Sequence, residues 1–300
     1  MLPAKAIGTS ILLFTAWTIY AQPTPLRLAA NHADDFQNRI VRAISVETLH
    51  QTSLRYPPRP FLAVGPNAEV PTGARYFNFD VESEYTVGHL RGAKAEDLVE
   101  IREILSVNGR LQQTPEVARR ALTEDIRAGE NRVRKHLLGE FTRFGLMDVA
   151  TDYGLILLAF TTAGQRELRV SPSGEEFVGS EPAIRYQWEQ TSGGAVEFRG
   201  RNAEHRILQG FIWVRKLDGM PLRISAWFEH AEPGHKLRDT ATVEFKTSPL
   251  GFPAPVSVVH RHYVDGKALT ENLYTYAPFR LFTTDTNIRY SATPDPSLKQ

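Results

Sequence analysis

Three hundred residues, 42% of them hydrophobic, can build a large core in one domain, or in one domain with a small appendage. With 35 Lys and Arg against 34 Asp and Glu, charge nearly cancels, and bulk composition gives nucleic-acid binding no support. The chain has no cysteine, which excludes disulfides, thiolate metal sites, iron–sulfur clusters and a cysteine nucleophile.

In chain order, Lys5 precedes an apolar run from Ile7 to Ala21 that has the pattern and length of a signal-peptide core. Ala21 is the expected cleavage residue, with Ile19 at the minus-three position and Gln22 starting the mature chain. The run is shorter than the roughly 20 apolar residues that cross a bilayer comfortably, which favours export to the periplasm or beyond over an uncleaved anchor. No cysteine follows it, so lipid modification of the new N-terminus is excluded by chemistry.

From Asn31 to Leu49 the spacing of Phe36, Ile40 and Ile44, with Val41 beside them, predicts an amphipathic helix whose start is favoured by Asp34 and Asp35. Pro57, Pro58, Pro60, Pro66 and Pro71 then remove amide donors and predict a stiff connector over 56–73. Over 98–113 the odd-numbered alternation of Val99, Ile101, Leu105 and Val107 competes with a helical reading of Leu98, Ile101 and Leu105. The dipeptide Asn108-Gly109 decides for a tight hairpin, so Glu84–Gly92 and Val99–Val107 are expected strands. Thr114-Pro115-Glu116 predicts a helix start with Thr as cap and Pro in the first turn. Gly129 interrupts that helix, and a second one carries Val133, Leu137, Phe141 and Phe144 as an apolar line bordered by Arg132, Arg134, Lys135, His136 and Arg143. The expected arrangement is a buried stripe with a solvated rim; the alternative is peripheral contact with an anionic membrane surface.

Tyr153–Phe160, apolar and bounded by Gly154 and Gly164, reads as a buried strand. Arg166–Val170, Ala183–Glu189 and Ala195–Arg199 are shorter strand candidates, punctuated by Ser171-Pro172-Ser173-Gly174 and Ser192-Gly193-Gly194. From His205 to Tyr290 the chain reads as one antiparallel meander: Ile207–Val214, Leu222–Phe228, Leu237–Phe245, Val256–Val264, Ala268–Tyr276 and Phe279–Tyr290. Asp218-Gly219 and Asp265-Gly266 supply turns that tolerate positive φ. No strand–helix–strand alternation occurs, so the class is α+β with an antiparallel sheet. The organisation expected is a signal peptide over 1–21, an N-terminal helix over 22–55 and the connector over 56–73. A sheet domain over 74–290 with a helical insert at 115–146 follows, then a flexible tail over 291–300.

Gly210-Phe211-Ile212-Trp213-Val214, then Asp218-Gly219-Met220-Pro221-Leu222-Arg223-Ile224, and the closing strand from Phe282 to Tyr290 resemble the lipoprotein-carrier superfamily, the LolA/LolB-like folds that include periplasmic stress sensors of the RseB type. The likeness rests on motifs over about the last hundred residues and on the order of elements before them. It implies a strongly curved antiparallel sheet, an open half-barrel with helices packed in its concave face, and an apolar groove for acyl chains or a hydrophobic peptide. It transfers no individual lipid-contacting residue. Aromatic side chains of the meander are expected mostly in the core, each stabilising by roughly 1.5–3 kcal/mol when fully buried. The candidate ligand-facing set is Phe211, Trp213, Trp227, Phe228, Tyr263 and Tyr274 from the sheet, with Phe141 and Phe144 from the second helix.

Two apart in one strand, His260 and His262 share a face and could serve a metal if His205, His230, His235 or Asp239 supplied a third ligand; the plainer reading puts them on the solvated face. His230 and His235 flank Ala231-Glu232-Pro233-Gly234 and suit ordinary loop hydrogen bonds. A Gly-x-Ser-x-Gly elbow and a phosphate-cradling loop before a helix are both missing, and Glu175-Glu176 falls in a glycine-bounded, solvent-exposed turn. No catalytic residue, metal or cofactor is therefore expected. The leading expectation is an exported, non-enzymatic protein with an apolar groove for a lipid, a lipoprotein acyl chain or a hydrophobic peptide. One alternative is an envelope interaction or stress-sensing module that pairs through an exposed sheet edge. The other is a metal-dependent hydrolase built on His260 and His262.

Overall fold

The computed structural model describes residues 24–55, 73–89, 98–126, 130–149, 151–191 and 207–282. The expected signal peptide, the proline-rich stretch to residue 72, the Ala195–Arg199 strand, the Ser192-Gly193-Gly194 turn, His205 and everything after Phe282 lie outside the described residues.

The first helix, α1, runs from Pro25 to Ile40, with the Thr24 side chain accepting from the Arg27 amide. Its buried stripe is Ala29, Ala33, Phe36 and Ile40, and the two alanines let its backbone lie close to what it covers. The helix expected to continue to Leu49 stops at Ile40, and Ala43–Arg55 form strand β1. Ile44 and Val46 fit either period locally. What decides is pairing on both sides, to β2 (Arg75–His89) along 44–55 and to β11 (Lys267–Tyr276) along 47–53, which gives the backbone groups there ladder partners.

β3 (Leu98–Val107) follows, and Asn108 and Gly109, both at positive φ, turn the chain into the short β4 (Arg110–Leu111) as the dipeptide predicted. Two helices come next, α2 (Pro115–Ile126) and α3 (Glu130–Arg143). The rest is β5 (Leu168–Val178), β6 (Glu181–Gln190), β7 (Gln209–Arg215), β8 (Pro221–Glu232), β9 (His235–Thr247), β10 (Pro253–Val264), β11, and β12 (Arg280–Leu281), which pairs with β1. Ser171-Pro172-Ser173-Gly174 does not end a strand; it forms an irregularity inside β5, on the sheet's edge, where a proline costs no ladder bond. Glu175 and Glu176 accordingly stand on a strand and not in a turn, both exposed.

All twelve strands form one antiparallel sheet in the order β4-β3-β2-β1-β11-β10-β9-β8-β7-β6-β5, with β12 off this path. The chain thus starts mid-sheet, works out to one edge, crosses to the other and meanders back to meet its own first strand. The crossing explains Tyr153–Phe160. Its apolar run is a 310 helix in place of the expected strand, because it traverses the inner face and has no neighbouring strand to pair with. Seven of its eight residues are buried, and Phe160 packs edge-on against the Trp188 indole with centroids 5.5 Å apart.

The sheet bends strongly around this segment. Asp152 accepts the Glu100 amide of β3, while the ring of the next residue, Tyr153, lies 5.3 Å from the His260 ring of β10. Four strand spacings separate β3 from β10, about 19 Å on a flat sheet. Adjacent residues can reach both only if the sheet curls. α1 closes the trough on the other side of the 310 segment, its first turn seated on the β7–β8 turn. There Gly219, at positive φ, leaves a gap in which a Cβ would sit 2.2 Å from that of Leu28.

The helical pair straddles the β3 edge. Leu122 of α2 packs on the convex side with Ile44, Val99 and Ile101, whereas Leu137 and Phe141 of α3 join the main core inside the trough. β3 is therefore covered on both faces, and nine of its ten residues are buried. Among the described residues no helix is long and apolar enough to cross a membrane.

Candidate functional site

Two polar networks are sealed inside the trough. In the first, Arg102 on β3 grips Glu47 on β1 through Nε (2.6 Å) and Nη2 (2.8 Å), and Nη2 also reaches Glu100 at 2.5 Å. Glu100 in turn accepts from the Asp152 amide and from the Tyr85 hydroxyl. The Tyr85 and Tyr274 rings lie 5.1 and 5.7 Å from the guanidinium carbon. Burial pushes the Glu100 carboxyl upward against the pull of Arg102, with Asp152 and Glu47 adding to the rise. Burial likewise raises the Tyr85 and Tyr276 phenols. Arg102 is raised instead, because Glu100 and Glu47 outweigh its desolvation.

The second network is a row of facing residues on β1, β11, β10 and β9. Gln51 Nε2 donates to Asn272 Oδ1 (2.7 Å), Asn272 Nδ2 to His260 Nδ1 (3.1 Å), and His260 Nε2 to Asp239 Oδ1 (3.1 Å). His262 Nδ1 meets the same Asp239 oxygen at 3.0 Å. The direction of each donor fixes the next, so the neutral His260 ring carries its proton on Nε2. Burial alone would lift the Asp239 carboxyl, but the two imidazole donors hold it well below the usual carboxylate range. His260 and His262 are thus core residues, 3% and 5% exposed, and not the solvated pair the strand pattern suggested. Concave curvature turns that face inward. Asp239 does join them, yet among the described residues no group of three or more His, Cys, Asp or Glu is placed to hold a metal ion.

A cavity of about 400 Å³ opens where α3 passes over the β3 edge. His136, Leu137, Glu140 and Arg143, spaced to share one face of α3, form its helical wall, with Phe144 just past the helix end. Arg102, Glu103 and Ile104 form the strand wall, and Gln112 and Gln113 close it from the β4 side. Being on one β3 wall, consecutive residues can line it only along the strand edge. β4 pairs with Ser106 and Val107, so among the described residues no strand covers that edge at 102–104. Gln113 Nε2 caps the Ile104 carbonyl at 3.0 Å and holds Glu103 at 2.9 Å. Burial raises the Glu103 carboxyl, helped by Asp125 nearby. Arg143 is occupied by Glu140 at 2.6 Å. Ile104, Leu137 and Phe144 are the apolar members of a lining that is otherwise polar or charged, and 400 Å³ lies within the roughly 300–1,000 Å³ of small-ligand sites.

The aromatic residues singled out from the sequence do not converge on one place. Phe211, Trp213 and Trp227 cluster on the convex face, with centroids 5.7–5.9 Å apart, interleaved with Arg185, Arg223 and Arg238. Tyr263 shares that outward parity on β10. Phe228 and Tyr274 face the trough, and Phe141 is buried under α3. Of the set, Phe144 alone lines the cavity. The residues the pattern missed are Arg102, Glu103, Gln112 and Gln113. Alternation around Ile101 assigns Glu100 and Arg102 to a solvated face. The signal available was the helix start at Thr114, which supplies a second cover for the strand.

These features define a class: an open, strongly curved antiparallel sheet with a helix and a 310 segment in its concavity, and a ligand-sized cavity at one edge. No family model and no curated protein matches the chain. Among solved structures it is similar to a LolA superfamily protein from Nitrosomonas europaea, at 12% identity over 84% of this chain and 91% of that one, with a TM-score of 0.28. It is similar also to a putative outer membrane lipoprotein-sorting protein domain from Vibrio parahaemolyticus, at 9% identity over 88% and 94% with a TM-score of 0.33. A DUF1329 family protein from Desulfovibrio piger matches at 10% identity over 89% and 95%, with a TM-score of 0.32.

Proposed function

We propose that this chain is an exported, non-enzymatic binding protein that holds the apolar part of an amphipathic ligand, a lipid or lipoprotein acyl chain, in the cavity between α3 and the β3 edge. The observation that carries the reading is the cavity itself: about 400 Å³, apolar at Ile104, Leu137 and Phe144, polar around them, and roofed by a single helix. Because α3 is not part of the hydrogen-bonded sheet, it can move without unpairing a strand, which is what entry of a chain-like ligand requires. Export is supported by Lys5 and the apolar run to Ala21. Native mass spectrometry of protein purified from its own envelope, with lipid extraction, tests the reading. A bound acyl species whose occupancy falls in Leu137→Trp is expected; protein that stays empty when offered envelope lipids refutes it.

A second reading rests on a different observation. The outer side of β5, eleven residues long, has no partner strand among the described residues, and Phe177 on it is 70% exposed. Such an edge can receive an extended segment of another envelope protein. A stoichiometric protein partner in envelope pull-downs, lost on Phe177→Asp and carrying no lipid, would favour it.

A further inference from the structure

Past the end of α3 the chain lies on the concave face as a short strap, residues 145–148, and the second polar network is what fastens it there. Gln51 Nε2 donates to the Met147 carbonyl at 2.7 Å while Gln51 Oε1 accepts the Met147 amide at 3.1 Å, and Asn272 Nδ2 donates to the Asp148 carbonyl at 2.8 Å. Arg55 adds a bond to the Gly145 carbonyl, and Thr270 one to the Asp148 carboxylate. Gly145 and Asp148 stand at φ of 88° and 48°, a region that a residue other than glycine keeps where its contacts impose it. The two amide side chains are fully committed. Asn272 gives its N–H groups to Asp148 and to His260 Nδ1 and its oxygen to Gln51, and Gln51 gives its N–H groups to Asn272 and Met147.

We propose that His260 is a proton-operated catch for this strap: a proton on its Nδ1 releases Met147 and Asp148 from the sheet and frees the C-terminal end of α3. A charged imidazole donates from both nitrogens. Nε2 is already committed to Asp239, so the new Nδ1–H meets Asn272 Nδ2, donor against donor. Asn272 can accept only by turning its amide over, which sets Oδ1 against the Asp148 carbonyl and Nδ2 against Gln51 Nε2. Gln51 must then turn as well, and both its bonds to Met147 are lost. One proton thus removes three hydrogen bonds from the strap. Of the groups facing the ring, Asp239 on β9 and Asp148 on the strap favour the proton, and His262, on the same Asp239 oxygen, opposes a second one. The 310 segment offers the Tyr153 phenol, which burial keeps neutral, and β11 offers the uncharged Asn272 and Thr270. The released state binds the proton better, because Nδ1 no longer faces an N–H, so release grows as pH falls. Imidazole is the side chain whose charge changes between about pH 5 and 8. The catch stands on the network alone and does not depend on what the cavity holds, although Arg143 and Phe144, at the end it frees, line that cavity.

The test is hydrogen exchange of the full chain at about pH 7.5 and about pH 5, corrected for the intrinsic pH dependence of exchange. Protection of the Met147 amide is expected to fall at least about tenfold between the two, while amides inside β1 and β10 keep theirs. In His260→Gln, which cannot charge, the fall is expected to vanish; in His262→Gln, which leaves the Asn272 contact in place, it is expected to remain. A fall that survives in His260→Gln, or one that is lost in His262→Gln, overturns the proposal. Should His260→Gln fail to fold, nitrogen-15 NMR of the wild type decides. The His260 ring nitrogens, the Asn272 and Gln51 side-chain amides and the Met147 amide are expected to titrate with one shared midpoint. A ring that stays neutral down to about pH 5, or a Met147 amide that does not respond as the ring charges, overturns the proposal as well.

Discussion

Gly154, inside the 310 segment, is where the trough is most crowded. A Cβ there would lie 2.5 Å from Glu100 Oε1, 3.2 Å from the Tyr85 hydroxyl and 3.4 Å from the Tyr276 hydroxyl. Ordinary C···O contacts start near 3.3 Å, so in Gly154→Ala the carboxylate oxygen must retreat by about 0.8 Å. It has little freedom to do so: Tyr85 holds one oxygen at 3.1 Å, and Arg102 and the Asp152 amide hold the other at 2.5 and 2.7 Å. Overpacking of this kind costs about 1–3 kcal/mol, and a hydrogen bond stretched out of range about 1 kcal/mol more. Reduced freedom of the unfolded chain returns about 0.4–1 kcal/mol. The expected net loss is about 1–3 kcal/mol, read as a lower urea midpoint at unchanged slope. Gly139→Ala is the control. That glycine is exposed in α3 with nothing within 4 Å of a Cβ, and alanine should stabilise by about 0.5–1 kcal/mol. A Gly154→Ala midpoint at or above that of the wild type would refute the packing of the 310 segment against Glu100.

Asp239 has a folded pKa below its unfolded one, so the folded state binds fewer protons; its contribution is complete above about pH 4 and fades as pH falls through the lower, folded value. Asp239→Asn should therefore be less stable than wild type at neutral pH, with the gap narrowing below about pH 4 in acid-denaturation curves; a gap independent of pH would contradict the assignment. Asn272→Ala unpairs His260 Nδ1 and the Asp148 carbonyl and should cost at least about 2 kcal/mol in denaturant, more than an exposed Asn-to-Ala change. Arg102→Met leaves Glu47 and Glu100 buried without their cation and should cost about 3–5 kcal/mol, much of it recovered when both acids become Gln. Trp213→Ala removes a ring under Arg223 and a donor to Glu176 on the convex face, with a cost of about 1–2 kcal/mol and acyl-ligand affinity unchanged within about twofold. A tenfold loss of affinity there would move the site to the outer face.

Much of the fold was local information. Asn108-Gly109 and Asp265-Gly266 fix two-residue hairpins through positive φ, Thr114-Pro115 starts α2, and alternation in β7 to β11 separates Ile212 and Ile224 from Trp213 and Trp227. What these signals cannot carry is partnership at a distance. Residues 43–49 fit a helix or a strand, and only pairing with β2 on one side and with β11 and β12, more than two hundred residues away, on the other makes them β1. Tyr153–Phe160 is apolar enough for a strand, and only its passage across the concave face denies it a neighbour.

The same division governs the site. Residue type and period establish an antiparallel α+β chain with an aromatic-rich sheet, because turn chemistry and alternation act over a few residues. Which face is inside depends on the direction of the bend and on what the helices cover. Curvature buries His260 and His262, and α2 behind β3 with α3 in front of it converts Arg102 from a surface cation into the wall of a cavity. Sequence alone thus determined the fold class and several of the hairpins; the tertiary structure decided the inside, since burial is a property of the curved sheet and not of any strand within it.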